Sequence, residues 1–422
     1  MNGVKIVVLT AMAHLSKLLI TLFILKQIAI TQGPEGLGLL GNFMTLVTLA
    51  ATLAGGGIMS GVIKYIAEYS GSLSRQFNLV GSAIVYALVA AAIVVVFGVI
   101  FINQFSSYIF LSDDLKKYIY FFLFAQVFIG LNNVAYGVMN GLRKTDVYAL
   151  FVICGNLIAA PVAYYGIKYY GMGGAVIAIM APATLAIIPV LIYIKVKKIN
   201  RQIGFNSILK DSRLLSRFSL MLIVSAICFP IVEMCIRNLL VEGVGLTAAG
   251  YWQAITKLSS AYLSFYSLFL MFYFVPIISA AVKKDDVLAE VKKMLFFVIS
   301  LFATMMVVFF SIRTYVIQWI FSAEFVPVSN LFILQMLGDF FRVIGWVIGF
   351  VVVAKALTKL YIISEIFQGL LFVTLSYLEL SYAGGLQGVI IAYVITCACY
   401  CLVSIFLFYY VFREKQVYVS VD

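Results

Sequence analysis

Long, unbroken runs of apolar residues are the feature of this chain that most constrains what it can fold into. A membrane-spanning helix needs about 20 consecutive apolar residues, whereas the strands of a transmembrane barrel alternate apolar and polar residues over about ten. The runs are continuous and of helix length, and they cover residues 7–30, 39–67, 79–103, 117–140, 147–167, 173–194, 218–241, 247–281, 294–312, 329–354, 361–380 and 386–412. We therefore predict an all-α integral membrane protein with about twelve transmembrane helices.

Composition excludes a soluble alternative. Hydrophobic residues make up 64% of the 422 positions and charged residues 11%, against about 45–50% and about 25% in soluble domains. A chain this apolar could not cover its own core with polar surface, so a water-soluble enzyme is excluded. The first run carries Lys17 in its middle and no small-residue cleavage site follows it. We interpret this run as a retained helix rather than a signal peptide.

Lysine and arginine concentrate in the N-terminus, the even-numbered loops and the C-terminus, above all in residues 195–217 and 283–293. Short loops rich in these residues stay on the cytoplasmic side of a membrane. We therefore expect both termini in the cytoplasm, with residues 31–38 and 243–246 on the opposite side. The same distribution accounts for most of the net charge of +12, so no nucleic-acid partner is expected.

The chain divides into two six-helix halves. The longest connection lies between the sixth and seventh runs, and it gives a first lobe at 1–198, a linker at 199–216 and a second lobe at 217–422. A Gly-Leu-x-x-x-Gly-x-aromatic pattern opens the second run at Gly36 and the eighth at Gly245, and a Gly-x-x-Gly pattern opens the sixth and twelfth runs at nearly the same offset. Because each half has an even number of helices, both enter the membrane from the same side. We expect a parallel pseudo-two-fold repeat around a central cavity.

Several cations lie inside the apolar runs, where a charge is costly and should face the protein interior or a water-filled cavity. Lys17 and Lys257 are the deepest lysines. One polar face of the eighth run comprises Gln253, Lys257, Ser260 and Ser264. We predict that the cavity binds substrate through Lys17, Arg237, Gln253, Lys257 and Arg342. The alternative is that the polar stripes form hydrogen bonds between packed helices.

Three titratable groups inside the runs are candidates for proton coupling: Asp339, Glu233 and His14, the last being the one histidine of the chain. Asp339 lies about ten residues into its run. At about 1.5 Å per residue, its depth in the membrane is roughly 15 Å. Arg342 follows Asp339 at i+3, and Arg237 follows Glu233 at i+4, so both spacings allow an ion pair. Protonation of Asp339 would free Arg342 to meet the substrate. The alternative for the two acids is that each forms a permanent ion pair with its arginine and orders its helix. The alternative for His14 is a buried imidazole that is hydrogen-bonded and takes no part in proton transfer.

The sign of the deep charges indicates the class of substrate. The deep charged residues comprise four cations, Lys17, Arg237, Lys257 and Arg342, and three acids, Glu233, Asp339 and Glu365. A net basic cavity suits an anionic substrate and is poorly suited to cationic drugs. The Cys-x-Cys-x-Cys pattern at 397–401 does not predict a metal site, because alternate residues of a helix face different directions. The chain also has no nucleotide-binding loop, so we expect no cofactor, no metal and no direct hydrolysis of ATP.

Several motifs resemble one family of bacterial membrane proteins. They are Gly-Pro-Glu-Gly-Leu-Gly-Leu at 33–39, the glycine-rich stretch at 54–65, Tyr-Trp-Gln at 251–253, Gly-Asp at 338–339 and Val-Ala-Lys-Ala at 353–356. With them the chain resembles the polysaccharide repeat-unit flippases (Wzx family) of Gram-negative bacteria, within the multidrug/oligosaccharidyl-lipid/polysaccharide exporter superfamily. The similarity covers essentially the whole chain and is greatest to the enterobacterial branch.

The resemblance implies a MATE-like fold in the inner membrane and a substrate that is an undecaprenyl-pyrophosphate-linked oligosaccharide. Such a flippase moves an O-antigen-type repeat unit from the cytoplasmic to the periplasmic leaflet by alternating access; the alternative within the branch is the lipid III of enterobacterial common antigen. The expected partners are membrane lipids, a glycan polymerase and a chain-length regulator, with a monomeric transport unit. A MATE-like multidrug or cation antiporter and a membrane-embedded enzyme acting on the same lipid carrier remain as alternatives of other classes.

Overall fold

The computed structural model is almost entirely α-helical and describes residues 3–55, 57–110, 115–197, 208–281, 283–354, 358–382 and 384–413. Over this part of the chain the helices are α1 (Gly3–Leu53), α2 (Met59–Glu68), α3 (Leu73–Ile100), α4 (Ile102–Phe110), α5 (Lys116–Gly141), α6 (Thr145–Leu185), α7 (Ile187–Val196), α8 (Ile208–Gly243), α9 (Leu246–Phe269), α10 (Val275–Ala280), α11 (Lys284–Ile320), α12 (Ser329–Ala354), α13 (Thr358–Ser381) and α14 (Gly385–Arg413). A π-helical turn, Leu270–Phe274, joins α9 to α10, and a 3₁₀ turn, Ala323–Val328, precedes α12. The predicted all-α fold is confirmed.

Two of the longest helices are each two predicted helices that meet at a glycine. The backbone is non-helical at Gly33 (φ 62°) in α1 and at Gly171 (φ 54°) in α6. Glycine adopts a positive φ without a Cβ clash, and Pro34 suits the first position of the helix that follows. The described residues contain nine helical stretches long and apolar enough to cross a membrane, and two of these, Val8–Leu53 and Thr145–Val196, contain the two breaks.

The two longest predicted helices, 39–67 and 247–281, are both interrupted. The predicted helix 39–67 breaks between α1 and α2, where Gly55 and Gly57 have φ of 74° and 66°. The amide of Asn133 on α5 donates to the carbonyls of Ala51 and Ala54 at 2.8 and 2.9 Å, so the carbonyls freed by the break have a donor. In the second half, the π turn interrupts the predicted helix 247–281.

The sixth predicted helix, 173–194, is also broken, which the sequence analysis did not anticipate. Ala186 separates α6 from α7, and Asn132 of α5 donates to the carbonyl of Ala183 at 2.8 Å. Pro189 contributes to this break because it has no N–H to donate to the carbonyl four residues earlier.

The chain forms two compact units, Met1–Pro230 and Ile231–Asp422. This division falls inside α8. Of the predicted linker at 199–216, residues 199–207 lie outside the described part of the chain, and the predicted lobes stay a prediction. The reason is visible at Leu215, near the start of α8, which is fully buried in a cluster of the first unit that includes Ile58 and Leu79.

The core of the second unit positions the groups considered next. Helices α9 to α12 and the π turn contribute the buried side chains of one cluster, which include Leu263, Phe274, Phe302, Val343 and Val347. These residues hold α9 and α12 side by side, because the buried apolar face of each helix packs against the other.

Candidate functional site

A carboxylate lies in the core of the second unit. Asp339 on α12 has 0% of its surface exposed. Val343 and Val347 follow it at intervals of four residues, so all three share one face of the helix, and both valines are buried in the apolar cluster of this unit. The same packing that buries the valines therefore encloses the carboxylate.

Hydrogen-bond donors from three helices surround this carboxylate. Ser259 of α9 donates to Asp339 Oδ2 at 2.6 Å, and the hydroxyl of Tyr262, one turn further along α9, donates to the same oxygen. Tyr393 of α14 donates to Asp339 Oδ1 at 2.6 Å. Gln335 donates to Oδ1 from 3.5 Å, at the limit of hydrogen bonding. A buried charged group needs such donors, and here they tie α9, α12 and α14 together.

Arg342 joins this network through a tyrosine. Its Nη1 donates to the hydroxyl of Tyr393 at 3.2 Å, while that hydroxyl donates onward to Asp339. The guanidinium lies 5.1 Å from the centre of the Trp346 ring, a cation–π distance. Glu365 of α13 also interacts electrostatically with Arg342. The spacing of Asp339 and Arg342 allows an ion pair, which stays a prediction, and the Tyr393 hydroxyl connects the two residues by hydrogen bonds.

A second buried cation lies on α8. Arg237 is 1% exposed and donates from Nη2 to Gln253 Oε1 at 2.6 Å. Its guanidinium lies 5.3 Å from the centre of the Trp252 ring. Two residues predicted to bind substrate thus contact each other, and a ligand would reach Arg237 in this conformation only by displacing its neighbours. Glu233, one turn earlier on α8, is half-buried.

The predicted polar face of α9 divides by burial. Gln253 is fully enclosed, Lys257 and Ser264 are half-buried, and Ser260 is exposed. Ser260 and Ser264 donate to backbone carbonyls of their own helix. The same is true of Thr45, Thr48 and Thr52 in α1. Each of these hydroxyls therefore has a bond within its own helix. Lys257 is the charged member of the face and is partly accessible.

The remaining predicted site residues belong to the first unit. Lys17 is exposed, and its ammonium lies 6.0 Å from the centre of the Tyr136 ring. His14, nearly one turn earlier on α1, is half-buried. The structure thus brings Asp339 and Arg342 together and pairs Arg237 with Gln253, whereas Lys17 and His14 belong to the other unit.

Sequence reasoning missed the three hydroxyl groups that bind Asp339, which belong to Ser259, Tyr262 and Tyr393. Their signal in the sequence is weak, because serine and tyrosine are common in apolar helices and helical spacing reports only neighbours on one helix. Among the described residues, no group of three His, Cys, Asp or Glu side chains could hold a metal ion.

The described residues combine many apolar helices of spanning length, two of them broken by glycine, with charged groups buried in the second unit. These features are typical of a multi-pass membrane protein of the transporter type. The fold is similar to a multidrug resistance MATE family transporter of the MOP superfamily in an inward-facing conformation, with a TM-score of 0.76 at 17% identity, covering 94% of this chain and 96% of that chain. The MATE-like fold class is thereby confirmed.

Sequence comparison gives the family. Residues 4–282 match the family described as polysaccharide biosynthesis protein. The chain is 30% identical over 393 residues to proteins named lipid III flippase from Escherichia coli (strain K12) and from Shigella flexneri, covering 92% of this chain and 93% of each relative. The chain therefore belongs to the polysaccharide biosynthesis protein family, and the resemblance inferred from its motifs is confirmed.

Proposed function

We propose that this protein is a flippase that carries an undecaprenyl-pyrophosphate-linked oligosaccharide from the cytoplasmic to the periplasmic leaflet of the bacterial inner membrane. The observation that carries the proposal is the 30% identity to lipid III flippases over 92% of the chain. The MATE-like fold supports alternating access as the mechanism and a transporter rather than an enzyme. We propose an O-antigen-type repeat unit as the cargo; the names of the two flippase relatives favour lipid III as the second candidate.

The accessible cations support recognition of an anionic head group. Lys17 is exposed and Lys257 is half-buried, so each can approach a pyrophosphate, and a charge-assisted hydrogen bond gains strength where water is scarce. Arg342 is half-buried and already bonded to Tyr393. We assign Lys17 of the first unit and Lys257 of the second unit to contact with anionic groups of the head, and Arg237 with Gln253 to the framework of the second unit.

The Asp339 network supports coupling to protons. An ionised carboxylate only accepts hydrogen bonds, whereas a protonated one must also donate one. If a proton bound at Oδ1, the Tyr393 hydroxyl would accept from Asp339 instead of donating to it, and its own hydrogen would need another acceptor. Its oxygen would then be shared between Asp339 and Arg342, so we propose that the bond to Arg342 weakens when Asp339 is protonated. Glu233 and His14, both half-buried, are secondary candidates for proton coupling.

The substrate is tested by complementation in two bacterial strains, one lacking its O-antigen flippase and one lacking its lipid III flippase. Surface glycan should return in the O-antigen strain; return in the lipid III strain alone would identify the second candidate. For comparison, a drug-sensitive strain that expresses this protein is grown in the presence of cationic drugs. Drug resistance without glycan in either strain would contradict the flippase and favour a MATE-like antiporter.

Proton coupling is tested by Asp339→Asn, which keeps the shape of the side chain and imitates its protonated form. In vesicles, wild-type transport should respond to an imposed pH gradient, and the variant should lose that response while still binding substrate. Glu379→Gln on α13, outside the network, is the matched control and should respond as wild type. Equal responses of wild type and Asp339→Asn would remove Asp339 from the mechanism, because a ligand shifts a two-state equilibrium only through unequal affinity for the states.

We also propose that both termini are cytoplasmic, because lysine and arginine concentrate in alternate loops. A single chain holds both compact units, which supports a monomeric transport unit. A glycan polymerase and a chain-length regulator are the partners that an exported repeat unit would next meet.

A further inference from the structure

A pocket on the first unit lies apart from all the groups described above. It is an open cavity of about 430 Å³ lined by Lys144, Asp146, Val147, Tyr193 and Lys197. It lies where three helices end, beside the end of α5, the start of α6 and the end of α7. Cavities of about 300–1,000 Å³ are the size that holds small ligands. We infer that this pocket binds the phosphate head group of a membrane lipid.

The charges of the pocket favour an anion. Lys144 and Lys197 are opposed by one acid, Asp146, which lies in the first turn of α6. The N-terminal end of a helix stabilises a negative charge, so Asp146 has a structural role there and offsets only one lysine. Arg143, next to Lys144, is exposed and adds a further positive charge nearby. Phosphate esters are the anions that lysine commonly binds as a point charge.

The turn that presents Lys144 is tight and strained. Three residues connect α5 to α6, and Arg143 among them has φ of 59°, a left-handed conformation that glycine adopts without a clash. The amides of Arg143 and Lys144 donate to the carbonyls of Asn140 and Met139 at 3.0 and 2.8 Å. Strained backbone held in place by hydrogen bonds concentrates at functional sites. Here the sequence keeps an arginine where glycine would relieve the strain, and the turn fixes the backbone of Lys144.

Tyr193, another residue that lines the pocket, is also held in place. The ring of Tyr193 contacts Phe151 edge-on, with centroids 5.5 Å apart. Phe151 is buried in an apolar cluster with Met139 and Val190. The tyrosine is therefore held in place at the lining of the pocket, and its hydroxyl can donate to a phosphate oxygen.

An apolar surface continues from the pocket along α7. Ile192 and Val196, one turn apart, are 57% and 70% exposed, and Leu191 is 56% exposed. A free phosphate would use the lysines but not this surface, whereas a lipid can place its head in the pocket and its chain along α7. Basic pockets at the membrane surface between transmembrane helices bind anionic lipid heads in this way.

Two kinds of lipid share the required chemistry, a phosphate head with a hydrocarbon chain. One is an anionic phospholipid, and the other is a polyprenyl pyrophosphate, the carrier of the proposed substrate. Native mass spectrometry of the full chain in detergent measures the affinity for each, with cardiolipin and polyprenyl pyrophosphate as probes and zwitterionic phosphatidylethanolamine as the reference lipid. Binding is measured without transport, so its outcome is independent of the flippase proposal.

The test variant is Lys144→Ala with Lys197→Ala. The control is Lys195→Ala with Lys293→Ala, which removes two exposed lysines outside the pocket and leaves the same net charge. We expect the test variant to lose roughly tenfold or more in affinity for an anionic probe, since each basic residue near the surface adds to lipid binding, and the control to stay near wild type. Loss for cardiolipin identifies a phospholipid site, and loss for polyprenyl pyrophosphate alone identifies a carrier site.

A structural explanation of such a loss is excluded by two further measurements. The lipid-free thermal unfolding of the test variant should match wild type, because both lysines are exposed, and Tyr193→Phe should weaken binding while its ring stays against Phe151. The inference is overturned if the affinity of the Lys144→Ala/Lys197→Ala variant falls no further than that of the control.

Discussion

Replacing Tyr393 with phenylalanine removes one oxygen atom from the centre of the Asp339 network. The lost hydroxyl donates to Asp339 Oδ1 at 2.6 Å and accepts from Arg342 Nη1 at 3.2 Å. The ring itself packs against Phe372, with centroids 5.5 Å apart, and phenylalanine keeps that contact. The substitution therefore deletes two hydrogen bonds to charged groups with little change in packing.

The expected loss follows from known values for membrane proteins. Hydrogen bonds between transmembrane helices contribute about 0.6 kcal/mol on average and about 1.7 kcal/mol at most, and bonds to charged groups are roughly twice as strong as neutral ones. Two such bonds give about 2 kcal/mol. Ser259 and Tyr262 still donate to Oδ2, so the carboxylate keeps donors and the full penalty of an unsatisfied charge does not arise. Tyr393→Phe should therefore lower the free energy of unfolding by about 2 kcal/mol.

Equilibrium unfolding in mixed micelles with a denaturing detergent measures this difference. Tyr266→Phe is the control, because that ring is also buried in the second unit and packs against Phe302. Its free energy of unfolding should stay within about 0.5 kcal/mol of the wild-type value. In an Asp339→Asn background, Tyr393→Phe should cost clearly less, with a coupling energy of about 1 kcal/mol. A Tyr393→Phe effect no larger than the control, or strict additivity with Asp339→Asn, would refute the reasoning.

Three other predictions concern topology, recognition and the helix break. In a chain whose native cysteines are replaced, a membrane-impermeant thiol reagent added to whole cells should label Glu35→Cys and not Asp286→Cys; the reverse pattern would overturn the orientation. Lys257→Ala should strongly reduce surface glycan at an unchanged protein level because a half-buried cation is lost, and Lys257→Arg should retain more; normal export by the alanine variant would make the charge structural. Asn133→Ala should lower the free energy of unfolding by about 1–2 kcal/mol, because two carbonyls at the end of α1 lose their donor. Thr48→Val, whose hydroxyl bonds within its own helix, should have a smaller effect, and equal losses would contradict the role of the amide.

Much of the fold was predictable because the bilayer imposes strong rules on sequence. Every backbone group inside lipid must be hydrogen-bonded, so each long apolar run was predicted to be a helix. The breaks at Gly33 and Gly171 fall in the gaps between predicted runs, at 31–38 and 168–172. The break at Ala186 was not predicted, because the run is apolar throughout and Pro189 was not taken as a helix breaker. The division into two compact units depends on where Leu215 packs, and this is a tertiary contact that no local pattern indicates.

The candidate site was predictable only where partners share a helix. Helical spacing placed Arg342 beside Asp339, because residues three apart are neighbours on a helix surface. The same rule suggests Glu233 as a partner of Arg237, which stays a prediction. The bond from Arg237 to Gln253 joins two helices, so spacing along one helix could not predict it. Tyr393 lies more than fifty residues from Asp339, and no local pattern carries that contact.

Reconstitution of the purified chain into vesicles tests the central claim most directly. The vesicles contain an undecaprenyl-pyrophosphate-linked oligosaccharide in both leaflets, and an impermeant lectin or glycosidase added outside reports how much of it reaches the outer leaflet. We predict that wild-type protein makes the inner-leaflet pool accessible, and that Lys17→Ala with Lys257→Ala reconstitutes equally well but does so far more slowly. If the inner pool stays protected with wild-type protein at every imposed pH gradient, the chain does not move this lipid unaided and the flippase account is contradicted.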